Sequence, residues 1–148
     1  MSLFEQLTED MKTALKAGEK ERLSTIRLLR GSIKNESINK QKELTEDEEL
    51  AILISAAKKR KESIQAYSDA GRDDLVAKET AELAVIQSYL PQPLAPDELE
   101  KIIDDAISQV GATSVQDLGK VMPVAIKMAQ GRADGKEINA IVRKKLAV

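Results

Sequence analysis

The side chains best placed to do chemistry are cations near the C-terminal end. Residues 119–148 carry seven Lys and Arg against two acids, Asp134 and Glu137. The segment before them, 97–117, is the reverse, with six acids and one lysine. Lys120, Lys127, Arg132 and Lys136 sit among short helical pieces punctuated by Gly119, Gly131 and Gly135. Such a basic face suits phosphate oxygens, which position a nucleic acid without reading its bases. Part of the charge has a structural use, because lysines in a last helix also answer its dipole. Gly119 and Gly131 permit either the close approach of a ligand or tight packing against a neighbouring helix. A second set, Arg27, Arg30 and Lys34, is spaced by three and four and so shares one side of a helix. That row could follow a phosphate backbone or pair with the acids Glu46 to Glu49. It lacks interleaved aromatics for base stacking. The densest basic run, Lys58 to Lys61, points around a whole helix circumference and reads as a solvated surface.

Other chemistry is narrowed by what is absent. The 148 residues include no His and no Cys, which removes the commonest general base, the thiolate nucleophile and the commonest soft metal ligands. The adjacent acids Asp73-Asp74 and Asp104-Asp105 diverge on a helix, so they do not form a carboxylate pair for acid–base work. Oxygen-only metal sites stay open, but no calcium-loop spacing is present. Gly131-x-x-x-Gly135 lacks the strand and the Gly-Lys-Ser/Thr ending of a phosphate loop. We therefore expect no catalytic residue, no metal and no cofactor. With a net charge of -2, the whole chain is no electrostatic magnet for nucleic acid or anionic lipid. The N-terminus lacks a signal-peptide pattern, and no apolar run reaches the roughly 20 residues of a membrane span. These two features lead to the expectation of a soluble, cytoplasmic protein without a membrane or DNA partner.

The elements that must position these side chains are all helical. Ser2 with Glu5, and Thr45 with Glu48, are capping boxes. Gly18 and Gly111 read as helix ends. Apolar residues at helical spacing mark a first helix (Leu3, Leu7, Met11, Ala14, Leu15), a second (Leu23, Ile26, Leu29, Ile33), a third (Leu50, Leu53, Ile54, Ala57, Ile64) and a fourth (Val76, Leu83, Ile86, Leu90). Short joints make them two antiparallel hairpins. Pro91, Pro93 and Pro96 interrupt any helix and predict a stiff connector over 91–96. Beyond it, Leu99, Ile102, Ile103, Ala106 and Val110 form one helix. A second one opens at Ser114 and Asp117, is expected to break or restart between Gly119 and Pro123, and continues through Val124, Ile126 and Met128. Asp134 caps a third that carries Ile138, Ile141, Val142 and Leu146. The expected architecture is all-α: an N-terminal lobe of long helical hairpins over 1–90, the connector, and a small three-helix lobe over 97–148. With three aromatics in the chain, Phe4, Tyr67 and Tyr89, the core must be aliphatic.

Taken together, Tyr89-Leu90-Pro91-Gln92-Pro93-Leu94, Asp117-Leu118-Gly119-Lys120-Val121-Met122 and Gly131-Arg132-Ala133-Asp134-Gly135-Lys136 resemble the GatB/YqeY family. The N-terminal part, including Arg22-Leu23-Ser24-Thr25-Ile26-Arg27-Leu28-Leu29, is similar to its free-standing YqeY-like members, so the resemblance covers nearly the whole chain. The C-terminal part also resembles the tail domain of the B subunit of the tRNA-dependent amidotransferase, a carbon–nitrogen ligase with glutamine as amide donor. The resemblance implies a helical module that helps engage tRNA, alongside a protein partner of the translation or tRNA-charging machinery. It assigns Gly119, Gly131, Asp134 and Gly135 to the family's backbone motif. The catalytic core of that enzyme has no counterpart in these residues, so any amide-transfer activity would need a partner. Pro123 departs from the pattern, standing where a helix-compatible residue is expected. The alternative function is a helical protein–protein adaptor without RNA binding.

Overall fold

The computed structural model describes residues 1–147, and among them every regular element is a helix. The chain packs as two units, Met1–Leu90 and the residues from Pro91 onward.

In the first unit α1 (Leu3–Ala17) starts on a reciprocal cap. Ser2 Oγ accepts the Glu5 amide at 3.2 Å, and Glu5 Oε2 accepts the Ser2 amide at 3.0 Å. The helix ends on Gly18, whose φ of 74° is the left-handed conformation that closes a last turn. Next comes α2 (Lys20–Lys40). Thr45 and Glu48 then repeat the capping box at the start of α3 (Glu46–Asp69), and α4 (Asp73–Gln87) completes the unit. The main packing pairs are α1 with α2 and α3 with α4, and α2 also packs on α3 and α4. The shared core is aliphatic, built on Leu7, Leu23, Ile26, Leu29, Ile33, Leu53 and Ile86.

Polar ties fix the register of these helices. Glu49 on α3 is only 4% exposed, and its carboxylate accepts the Phe4 amide of α1 at 2.9 Å. It thereby caps a helix far away in sequence, at the end where the dipole favours an anion. The Tyr89 hydroxyl donates to Asp10 at 2.5 Å. Burial first, and then the Asp10 carboxylate, push this phenol up to about 12. Arg60 of the basic run pairs with Glu82 across α3 and α4 at 3.3 Å. The expected stripe is corrected at Leu15, which is 59% exposed. It lies at the edge of the α1 stripe, beyond the width that the neighbouring helices cover.

The second unit comprises α5 (Pro96–Val110), a 3-10 turn (Val115–Asp117), α6 (Leu118–Ala129) and α7 (Gly135–Leu146). Leu99, Ile103 and Ala106 meet Val121, Ala125 and Ala129, with Ile138, Val142 and Leu146 closing the cluster. Pro91 to Ala95 belong with this unit, and Leu94 packs on its core. Two details depart from expectation. First, α6 runs unbroken through Pro123. The amide that proline lacks would have bonded the Gly119 carbonyl, and both residues are exposed, so water can serve that oxygen. Second, Ile126 is 48% exposed, and the alanines at 125 and 129 hold the buried positions instead.

The joint between α2 and α3 is electrostatic. Lys40 Nζ lies 2.6 Å and Lys42 Nζ 3.1 Å from Glu48. Hydrogen bonds from Lys40 and then Lys42 hold the Glu48 carboxyl at about 2, against an ordinary value of 4.5. A depressed carboxylate stabilises the fold fully above its unfolded value, and that contribution is lost as pH falls toward the folded one. Glu48→Gln should therefore lower the melting temperature at pH 7, with the gap to the parent closing between about pH 4.5 and 2. Thermal melts across that range, followed by circular dichroism, provide the check.

Candidate nucleic-acid interface

The α6–α7 junction shows what the glycine-rich motif builds. Gln130 (φ 50°) and Gly131 (φ 76°) are both left-handed and turn the chain out of α6. Arg132 follows, and its amide donates to the Ala129 carbonyl at 2.9 Å. Ala133 packs on the core, and Asp134 Oδ1 accepts the Lys136 amide at 3.2 Å to start α7 at Gly135. The motif is a chain reversal with a cap. Gly119 takes part in no tight helix packing, since a Cβ built there meets nothing within 4 Å, and the same holds at Gly135.

Of the seven cations singled out, two are turned inward. Arg132 Nε donates to the Gln92 carbonyl at 2.7 Å, Nη2 lies 3.5 Å from Glu98, and the Arg132 carbonyl accepts the Leu94 amide at 2.8 Å. It fastens the proline-rich segment and the first turn of α5 to the α6–α7 loop. Arg30 likewise serves α1. Its Nε donates to Thr8 Oγ1 at 3.0 Å, Nη1 lies 3.4 Å from Met11 Sδ, and the guanidinium sits 4.9 Å over the Phe4 ring. The row Arg27, Arg30, Lys34 is therefore not a single outward set. It forms no ion pair with the α3 acids among the described residues; Glu48 is held by Lys40 and Lys42, and Glu49 by the Phe4 amide.

The remaining candidates face water. Lys120 and Lys127 are exposed on α6, and a separation of seven residues puts them on one side, about 10.5 Å apart along the axis. Lys136 is exposed in the first turn of α7. None of the three forms an ion pair among the described residues. At the head of α6 the Asp117 carboxylate accepts the Thr113 and Ser114 amides at 2.9 and 3.3 Å. Those bonds, with the Lys120 charge nearby, hold it below the usual carboxylate range. The acidic half of the unit is answered in part from within, since Lys145 on α7 pairs with Asp104 on α5 at 2.9 Å. Among the described residues no cluster of three or more acids could hold a metal ion, and no helix is long and apolar enough to cross a membrane.

Comparison with known proteins adds a family, and relatives whose names state a compartment. A family described as Yqey-like protein matches residues 4–146. The chain is 31% identical over 135 residues to "Altered inheritance of mitochondria protein 41, mitochondrial" of Pyrenophora tritici-repentis, covering 89% of this chain and 74% of that one. The protein of the same name from Vanderwaltozyma polyspora is 34% identical over 119 residues, covering 76% of this chain and 64% of the relative. The one from Saccharomyces cerevisiae is 30% identical over 139 residues, covering 89% and 70%. The expectation of a cytoplasmic protein is corrected by these relatives, whose names point to mitochondria rather than to plain cytoplasm. The missing signal pattern and membrane span speak only of secretion and bilayer crossing, and say little about which internal compartment holds a chain.

The Arg132 contacts give a direct test. Arg132→Lys keeps the charge but cannot reproduce the guanidinium's bonds to Gln92 and Glu98, so it should destabilise the protein by about 1–2 kcal/mol. Urea unfolding measures that loss. A lysine variant as stable as the parent would deny the clamp.

Proposed function

This chain belongs to the Yqey-like protein family, and from that premise we propose that it is a non-catalytic tRNA-binding accessory protein of tRNA metabolism. The observation that carries the reading is the pair Lys120 and Lys127, exposed on one side of α6 and free of ion pairs among the described residues. Lys136 adds a third exposed cation from the start of α7. Such a set contacts phosphates and carries no sequence information by itself. Recognition of an RNA would then rest on shape, with the cations setting affinity and salt dependence. The likeness of the C-terminal motifs to the amidotransferase tail supports tRNA as the RNA. The mitochondrial names of the relatives support a mitochondrial site of action.

The reading assigns no chemistry to the chain itself. Arg30 and Arg132 keep their structural partners in it, and the outward lysines alone meet the RNA. Lys120→Ala with Lys127→Ala should weaken binding of an unfractionated tRNA pool at low salt. It should also reduce the slope of log affinity against log salt by about 1.5–2, one counterion or slightly less per lost contact. Filter binding across a salt series measures both, with Lys58→Ala as a surface-charge control. Unchanged affinity and slope in the double variant would overturn the reading.

A further inference from the structure

We propose that the outward face of α2 docks an acidic amphipathic helix of a partner protein. The helical period brings residues 20, 24, 27, 28, 31, 34, 35 and 38 to one side, and all are exposed. The opposite side, with Ile26, Leu29 and Ile33, is buried in the core of the first unit, and Leu23 is buried at the margin between the two sides. This outward face carries apolar as well as charged side chains. Leu28 is 54% and Ile38 63% exposed, two large aliphatic side chains on a helix whose buried side is already supplied. Beside Leu28, a shallow groove runs along Lys20, Leu23, Ser24 and Arg27.

The charges fix the kind of occupant. Lys20, Arg27 and Lys34 recur at intervals of seven, which keeps them in one line with about 10.5 Å between neighbours. None of them forms an ion pair among the described residues, whereas Arg22 and Lys40 on the same helix pair with Glu19 and with Glu36 and Glu48. A partner helix with acids at the same interval would meet all three cations, while its apolar seam covers Leu28 and Ile38. The aliphatic pair favours a protein over a nucleic acid. Those side chains gain from an apolar surface and nothing from a sugar–phosphate backbone, and no aromatic stands among the face residues to stack a base. Gly31 lies in the middle of the face, and a Cβ built there meets nothing within 4 Å, so a partner can approach the backbone closely at that point.

The surface belongs to the first unit and does not depend on the tRNA reading. The test uses the full chain and a labelled synthetic helix of three heptads, about 21 residues, with leucine on one face and glutamate at every seventh position beside it. The same peptide with lysine for glutamate is the control. Fluorescence anisotropy should show binding of the acidic peptide and none of the basic one. Arg27→Glu with Lys34→Glu, and separately Gly31→Leu, should each weaken it by about tenfold. Gly31→Leu fills open space on a helix surface, so its melting temperature should be at least that of the parent. Equal binding of both peptides, or binding of the acidic one unchanged in both variants, would overturn the proposal. So would a face that ignores the acidic peptide while the charge-reversed variant loses tRNA, since the surface would then belong to RNA.

Discussion

The first unit depends on a carboxylate taken out of water. Glu49 is 4% exposed on α3 and gives its oxygen to the Phe4 amide at the start of α1. An aliphatic core specifies burial well but orientation poorly, because Leu, Ile and Ala surfaces can slide past one another at little cost. A buried anion that finds its donor in one register forbids such sliding, since any other leaves it unpaired. The other ties follow from that placement. Phe4, held at the helix start, lies under the Arg30 guanidinium, which also reaches Thr8 and Met11. Further along α1, Asp10 receives the Tyr89 hydroxyl from the residues after α4. Two of the three aromatics in the chain are thus spent on polar locks.

The second unit solves the same problem with the opposite charge. Arg132 reaches a backbone carbonyl at Gln92 and the Glu98 carboxylate, while its own carbonyl receives the Leu94 amide. Proline-rich backbone has few donors to offer, so its carbonyls and the amide of Leu94 are what a neighbour can hold. A forked guanidinium suits that task better than an ammonium. What remains outside after these internal uses is a short set of lysines, and its selection is itself informative. Arg132 and Lys145, the cations with an acid partner inside the unit, lie against the connector or α5, whereas Lys120, Lys127 and Lys136 on α6 and at the start of α7 form no ion pair among the described residues, and neither do Lys101 and Lys144.

How far the sequence foretold this depends on the range of the physics. The caps at Ser2, Thr45, Gly18 and Gly111 are decided by residues within one turn, and each appears where the sequence placed it. The buried stripe of α2 at Leu23, Ile26, Leu29 and Ile33 was equally legible, because the four recur at spacings of three and four. Leu15 and Ile126 were not, since a residue at the margin of a stripe is covered or left bare by the tilt of another helix. The contacts of Arg30 and Arg132 were hidden for a related reason: their partners lie 22 and 40 residues away. Glu49 gave no local sign of its role, standing in a run of four acids that all looked like first-turn charge. Its one hint was position, four residues beyond the Thr45 cap and level with the apolar stripe of Leu53 and Ala57.

The attachment of Pro91 to Leu94 bears on how such a module is inherited. A segment that supplies the Gln92 carbonyl and the Leu94 amide to the Arg132 loop is part of the body it precedes, although its composition reads as a spacer. The smallest portable version of the C-terminal helices therefore begins at about residue 91 rather than at the first turn of α5. Grafted onto another protein, it would bring its own rigid stem. The flexible part of any such fusion would have to be provided by the host, upstream of the prolines.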